Sequence, residues 1–208
     1  MIPDPEFWVL DADVVAHAAA PTLTFRLRVK DTSEREVYAV ALTVMIQLEA
    51  IQREHDDLAR ERLRDVFGDP ERWGDTARAV LWAQEDVLVP SFTGSTTFDL
   101  AVPCNADLEL ATARWFEAVQ DGVAPLAFHF SGSVFYRGEA DRMQLTRVPW
   151  HATAQFRLPV ETWHKAVGEG GGVVRVSAET FEALRRRRLE RGLHSLDAAL
   201  ADLLERTP

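Results

Sequence analysis

The sequence predicts an α+β fold: a mainly antiparallel sheet or open β-sandwich with one crossing helix and a C-terminal strand–helix–helix segment. Three stretches carry that reading. Leu23 to Lys30 alternates apolar and polar residues without a break, the period of a half-buried strand. Phe98 to Tyr136 reads as strand, helix and aromatic strand. Phe98, Leu100 and Val102 alternate up to Pro103, and Leu108, Ala111, Trp115 and Val119 recur at helical spacing. Leu126, Phe128 and Phe130 then resume the alternation, which continues through Val134-Phe135-Tyr136 after Ser131-Gly132-Ser133. From Ser177 onward, serine caps and a closing glycine bracket two helices with apolar faces.

Taken in order, residues 1–21 form an acidic N-terminal arm around the apolar knot Phe7-Trp8-Val9-Leu10. The arm is expected to be mobile or docked through Trp8, with a partner-binding tail as the alternative. The main α+β domain spans 22–167. Its first strand, Leu23–Lys30, turns through Asp31-Thr32-Ser33 into a long strand from Glu36 to about Ile51. Tyr38, Val40, Leu42, Val44, Ile46 and Leu48 share one face of that strand, and the two strands are expected to pair. The row Arg26, Arg28 and Lys30 reads as a solvated face that discourages edge pairing.

His55 to Gly68 reads as a short helix or irregular excursion, and Ala79 to Val89 as a third strand closed by Pro90. The central helix is expected over Asn105–Gln120 and ends at Asp121-Gly122. After a turn at Arg137–Asp141, strands are expected at Met143–Val148 and Ala152–Leu158. A helix follows Pro159 to about Val167, and Gly168–Gly172 is a connector. The segment 173–208 holds a short strand (Val173–Val176) and a helix at Ala178–Arg191 with Phe181, Leu184 and Leu189 on its apolar side. A second helix carries Leu196, Leu200, Leu203 and Leu204. This segment is expected to pack on the main domain.

At 208 residues, with nearly half of them apolar, the chain can bury a substantial core. A formal net charge of −10 argues against non-specific adhesion to nucleic acid or anionic membrane. Lys30 and Lys165 are the only lysines, a usage that together with abundant Ala reads as the codon bias of a GC-rich genome. The single cysteine rules out an intrachain disulfide and fits a reducing compartment. The acidic N-terminus lacks a signal peptide's basic region, and no apolar run has membrane-helix length, so a cytoplasmic protein is expected.

Chemistry is sparse in the pattern. Cys104 lies just before the predicted central helix, where a thiol can be a nucleophile or redox sensor. A buried, inert cysteine is the plainer reading. His129 lies in the aromatic strand opposite Phe128 and Phe130, and Trp150-His151 sits between two strands. These four are the candidate functional residues; no catalytic residue is assigned. The six histidines form no H-x-x-x-H or H-x-H pair, so no metal or other cofactor is expected. Ser131-Gly132-Ser133 lacks the second glycine of a nucleophile elbow, and Gly168–Gly172 follows a helix rather than a strand, unlike a phosphate loop.

Val173–Ser177, the helix bearing Arg185, Arg186, Arg187 and Arg188, and the helix after Ser195 resemble a ribbon-helix-helix unit. That resemblance implies a DNA-binding regulator with Arg175 reaching bases and the arginine run reaching phosphates. Over nearly the whole chain a second resemblance holds. Trp73-Gly74, Pro90–Ser95, Val102-Pro103-Cys104, Pro125-Leu126, Phe130–Tyr136 and Arg147–Trp150 resemble an uncharacterised domain-of-unknown-function family of GC-rich bacteria. Its members are often encoded beside nickel-iron hydrogenase and hydrogenase-maturation genes. Cys104, Ala113-Arg114 and Gly122-x-x-Pro125 also resemble part of the bacterial export chaperone SecB. The expectation is a non-enzymatic accessory protein that binds a protein partner, such as a hydrogenase subunit or maturation factor, through apolar side chains along the aromatic strands. A homo-oligomer is compatible with it, and nucleic acid is the minor alternative.

Overall fold

The computed structural model describes residues 1–104, 110–169 and 176–205. The chain divides into two compact units, Met1–Gly172 and Val173–Pro208. In chain order the strands of the first unit are β1 (Glu6–Val14), β2 (Thr22–Lys30), β3 (Glu36–Leu48), β4 (Val80–Val89), β5 (Phe92–Thr93), β6 (Ser95–Pro103), β7 (Val123–Arg137), β8 (Met143–Arg147) and β9 (Thr153–Pro159). Its helices are α1 (Asp57–Arg62), α2 (Arg64–Phe67), α3 (Trp73–Thr76), α4 (Leu110–Ala118) and α5 (Val160–Glu169).

Two antiparallel sheets result. One has the order β1-β2-β6; the other runs β4-β3-β7-β8, with β5 also on β3 and β9 also on β7. The alternation of β2 turns Leu23, Phe25, Leu27 and Val29 inward, where all four are fully buried. The Phe25 ring meets Trp82 of β4, Phe128 of β7 and Phe156 of β9 edge-on, at centroid distances of 5.9, 5.2 and 6.0 Å. One ring therefore touches three strands of the facing sheet, which makes the unit a two-layer sandwich. Phe116 of α4 covers Trp82 at 5.7 Å and stacks on Trp163 of α5 at 4.6 Å.

Gly132 sets the course of the long strand β7. Below it β7 pairs with β9, above it with β8. Its φ of 145° suits glycine alone, and a Cβ there would fall 2.0 Å from the Ala41 carbonyl oxygen of β3.

Several expectations change. β2 and β3 do not pair; they belong to different sheets. The link between them is a corner: the Asp31 amide donates to Gly94 O at 2.7 Å. Its buried carboxylate accepts from the Asp4 and Ser33 amides, at 2.8 and 3.2 Å, and from the Ser33 hydroxyl. The Arg26–Lys30 row accordingly guards no edge, because β2 is central; Arg26 pairs with Asp99 of β6 at 3.0 Å and Arg28 lies over Trp8 of β1. Much of the expected acidic arm is strand β1, held by Phe7 stacked on Phe130 at 4.4 Å. On β3 a register shift between Val37 and Ala39 turns Val37, rather than Tyr38, into the core. The described part of the central helix is α4; the expected start at Asn105 lies outside the described residues.

The second unit holds α6 (Ala178–Glu190) and α7 (Leu196–Leu204). Ser177 and Ser195 cap them, accepting from the Thr180 and Ala198 amides at 3.2 and 3.0 Å. Gly192, at φ 64°, ends α6. Leu184 and Ala199 are buried, and Asp202 receives both Arg187 (2.6 Å) and Arg191 (2.7 Å). Residues 173–175, with the expected strand and Arg175, lie outside the described residues.

Candidate functional site

Phe128, Phe130 and Tyr136 of the aromatic strand are buried, so they offer nothing to a partner. The exposed apolar side chains lie one strand further out. β8, Met-Gln-Leu-Thr-Arg, pairs with the upper half of β7 alone, and among the described residues no strand pairs with its second edge. Met143 is 68% and Leu145 55% exposed. The turn after β8 carries Trp150, 94% exposed. It is pinned at both sides: the Val148 amide donates to Gly132 O at 3.1 Å, and the Phe130 amide to Ala152 O at 2.9 Å. A free backbone edge and three large apolar side chains thus lie on a strand and turn tied to β7 by backbone hydrogen bonds.

Three other borders carry acidic residues, a proline or a bulge, and β9, which pairs with β7 alone, ends in Pro159. β1 carries Glu6, Asp11 and Asp13 and a register shift after Val9, β4 carries Glu85 and Asp86, and β6 carries Asp99 and ends in Pro103. β8 has no acidic residue, no proline, no lysine and no bulge. Short length, charges, prolines and bulges are devices by which edges avoid pairing, and of these β8 has only its five-residue length and Arg147.

The structure separates the candidate residues. His151 lies in the exposed turn, its ring 5.5 Å from that of Trp150, and borders a cleft of about 350 Å³ with Phe7, Trp8 and Thr153. His129 is half-buried in β7, cross-strand from Met45 and Thr153. Cys104 is buried just after β6, where its amide donates to Pro21 O at 2.8 Å. Burial pushes its thiol up to about 12, so the reactive thiolate suggested by its place before a helix is disfavoured. Among the described residues no group of three or more His, Cys, Asp or Glu side chains is placed to hold a metal ion.

One cluster has no counterpart in the sequence reading. Trp115 of α4 donates its indole N–H to His55 Nε2 at 3.0 Å, and Trp73 of α3 meets the same imidazole edge-on at 5.3 Å. Arg53 lies over Trp115 and donates to the Asp121 and Val123 carbonyls at 2.9 and 3.2 Å. Accepting from Trp115 places the imidazole proton on Nδ1. Burial, aided by the charges of Arg53 and Arg60, holds His55 below its ordinary value and therefore neutral. A groove of about 470 Å³ runs past His55, Trp73, Arg53 and Arg60. With its Nε2 occupied, His55 pins the segment after β3 to α4 and is not free to act as a base. The sequence separation of 60 between His55 and Trp115 hides this contact from any local pattern.

In the second unit, Arg187 is held by Asp202 and Arg185 by Glu182 at 3.0 Å, so half of the arginine run already serves intramolecular ion pairs. Among the described residues no helix is long and apolar enough to cross a membrane.

No curated protein sequence matches the chain. Among solved structures, a protein described as late embryogenesis abundant is 13% identical, with 76% of this chain and 72% of that one covered at a TM-score of 0.35. The CARDB domain of a Pyrococcus furiosus protein, solved with di-metal ions, is 9% identical over 76% of this chain and 87% of its own, with a TM-score of 0.30. A beta-glucosidase 3B from Thermotoga neapolitana is 11% identical over 75% of this chain and 17% of its own, at 0.28. These likenesses carry no functional assignment, and none bears on the partial chaperone resemblance. The family comparison covers far more: a single model matches residues 2–208, and the chain belongs to that family, a family of unknown function designated DUF6084.

Proposed function

We propose that the chain is a non-enzymatic accessory protein that holds a protein partner on β8 and the turn after it. The observation that carries this reading is the unpaired edge of β8, free of acidic residues, proline and bulge and flanked by exposed Met143, Leu145 and Trp150. An extended segment of the partner adds to the sheet beside β8. Its main-chain groups pair with the free edge, and its apolar side chains cover Leu145 and Trp150. Exposed tryptophan is the side chain most often found to dominate such contacts, with losses on the order of 2 kcal/mol or more on truncation. The partner we propose is a hydrogenase subunit or a maturation intermediate. That choice rests on the genomic neighbourhood of the family that the sequence resembles. The protein acts in the cytoplasm, where such intermediates are assembled.

The test is affinity capture from native cells with the wild-type chain and with Leu145→Glu/Trp150→Ala. A hydrogenase subunit or maturation protein enriched by wild type and lost with the double variant supports the reading. Equal enrichment by both, or none by either, overturns it.

A further inference from the structure

The hairpin of α6 and α7 has two different faces. On one, Arg187 and Arg191 converge on Asp202. The other follows from helical geometry. Leu184 and Ala199 are the buried contacts of the two helices. Leu189 and Leu204 each follow their buried residue by five positions, about 140° around the helix. Because the helices run antiparallel, those two rotations bring both leucines to the same side of the hairpin. Phe181, three positions before Leu184, projects toward that side as well. The whole stripe is exposed, Leu189 at 70% and Leu204 at 77%.

We propose that this stripe, Phe181, Leu189 and Leu204, is where a second copy of the same chain docks, hairpin on hairpin. Size and charge together favour this occupant. The unit Val173–Pro208 is smaller than the roughly 40 residues below which a fold needs a disulfide, a metal or an oligomeric partner. It contains no cysteine. Residues 173–208 hold seven basic and six acidic side chains, which leaves 16 basic and 27 acidic ones in 1–172. The hairpin segment is therefore formally +1 and the rest of the chain −11. Two copies meeting through their main units bring like charge together, whereas two hairpins meet without net repulsion. Outside the hairpin's intramolecular ion pairs, α6 still carries Arg186 and Arg188 while α7 carries Asp197 and no basic residue, so a two-fold pairing of α6 on α7 of the second copy opposes unlike charges. Four apolar-faced helices then close a bundle.

The experiment is light scattering on the full chain across a concentration series. Wild type is expected as a dimer, and Leu189→Glu/Leu204→Glu as a monomer of half the mass. Because that variant can also unravel the hairpin, Leu204→Cys is treated in parallel with a bifunctional maleimide, with Leu88→Cys on β4 as control. Buried Cys104 stays unreactive in both. Cross-linked dimer from Leu204→Cys and little from Leu88→Cys supports the proposal. A wild-type monomer at every concentration, a dimer that survives the double substitution, or equal cross-linking at both positions overturns it.

Discussion

β1 and β8 both border a sheet, and they differ in nearly every property that governs an edge. β1 is sealed: Phe7 stacks on Phe130 inside the sandwich, Arg28 covers Trp8 at 5.0 Å, and three carboxylates line the strand. β8 is open, with neither Met143 nor Leu145 covered and Arg147 its only charge. The strand that resembles a loose tail in the sequence is the one built into the core. The strand that resembles an ordinary member of the sheet is the one left available. Availability for pairing is thus a property of what a strand lacks, and β8, five residues long with Arg147 at its end, lacks an acidic residue, a proline and a bulge.

The largest effect is expected where the open edge is mounted. Gly132→Val drives a Cβ into the Ala41 carbonyl and forces a backbone conformation that valine avoids. A loss of at least about 4 kcal/mol in urea-denaturation stability is expected, with β8 detached from β7. Next comes the sealed edge: Phe7→Ala removes a buried ring and costs about 3 kcal/mol in the same measurement. It also loosens β1 from the sandwich, visible as faster amide exchange across residues 6–14.

The segment after β3 has a titratable tie to α4 as well. His55 is held neutral, so its contribution to stability is complete above the ordinary histidine value of 6.5 and is lost progressively as pH falls below it. Protonation puts an N–H against the indole N–H of Trp115. His55→Gln keeps an acceptor there; it is expected to cost about 1 kcal/mol at neutral pH and to flatten the acid limb of the stability profile. The smallest change belongs to the open edge: Leu145→Glu alters stability by no more than about 0.5 kcal/mol, because the side chain packs against little in the free protein. An appreciable loss of stability in that variant signals that Leu145 is structural.

What the sequence disclosed follows the range of the interactions. The alternation of β2, the serine caps at Ser177 and Ser195, and the glycine end at Gly192 are local, and each was legible. The partition of strands was not. Phe7 gains its strand from Phe130, and the corner at Asp31 depends on Gly94 and Asp4, none of them neighbours in sequence. The same limit applies to the candidate surface. Phe128 and Leu145 are both apolar residues in alternating runs. Only the register β7-β8 and the lack, among the described residues, of a further strand make one core and the other surface. Cys104 was placed correctly beside a strand end, but its reactivity turns on burial, which no spacing reports.

Amide hydrogen exchange across residues 143–147, on the free protein and on the complex captured from cells, tests the central claim most directly. Rapid exchange at the outer edge of β8 is expected in the free chain, slowing by at least an order of magnitude once the partner is bound, with β1 unchanged. Unaltered exchange in β8, with new protection confined to β1 or another surface, contradicts it.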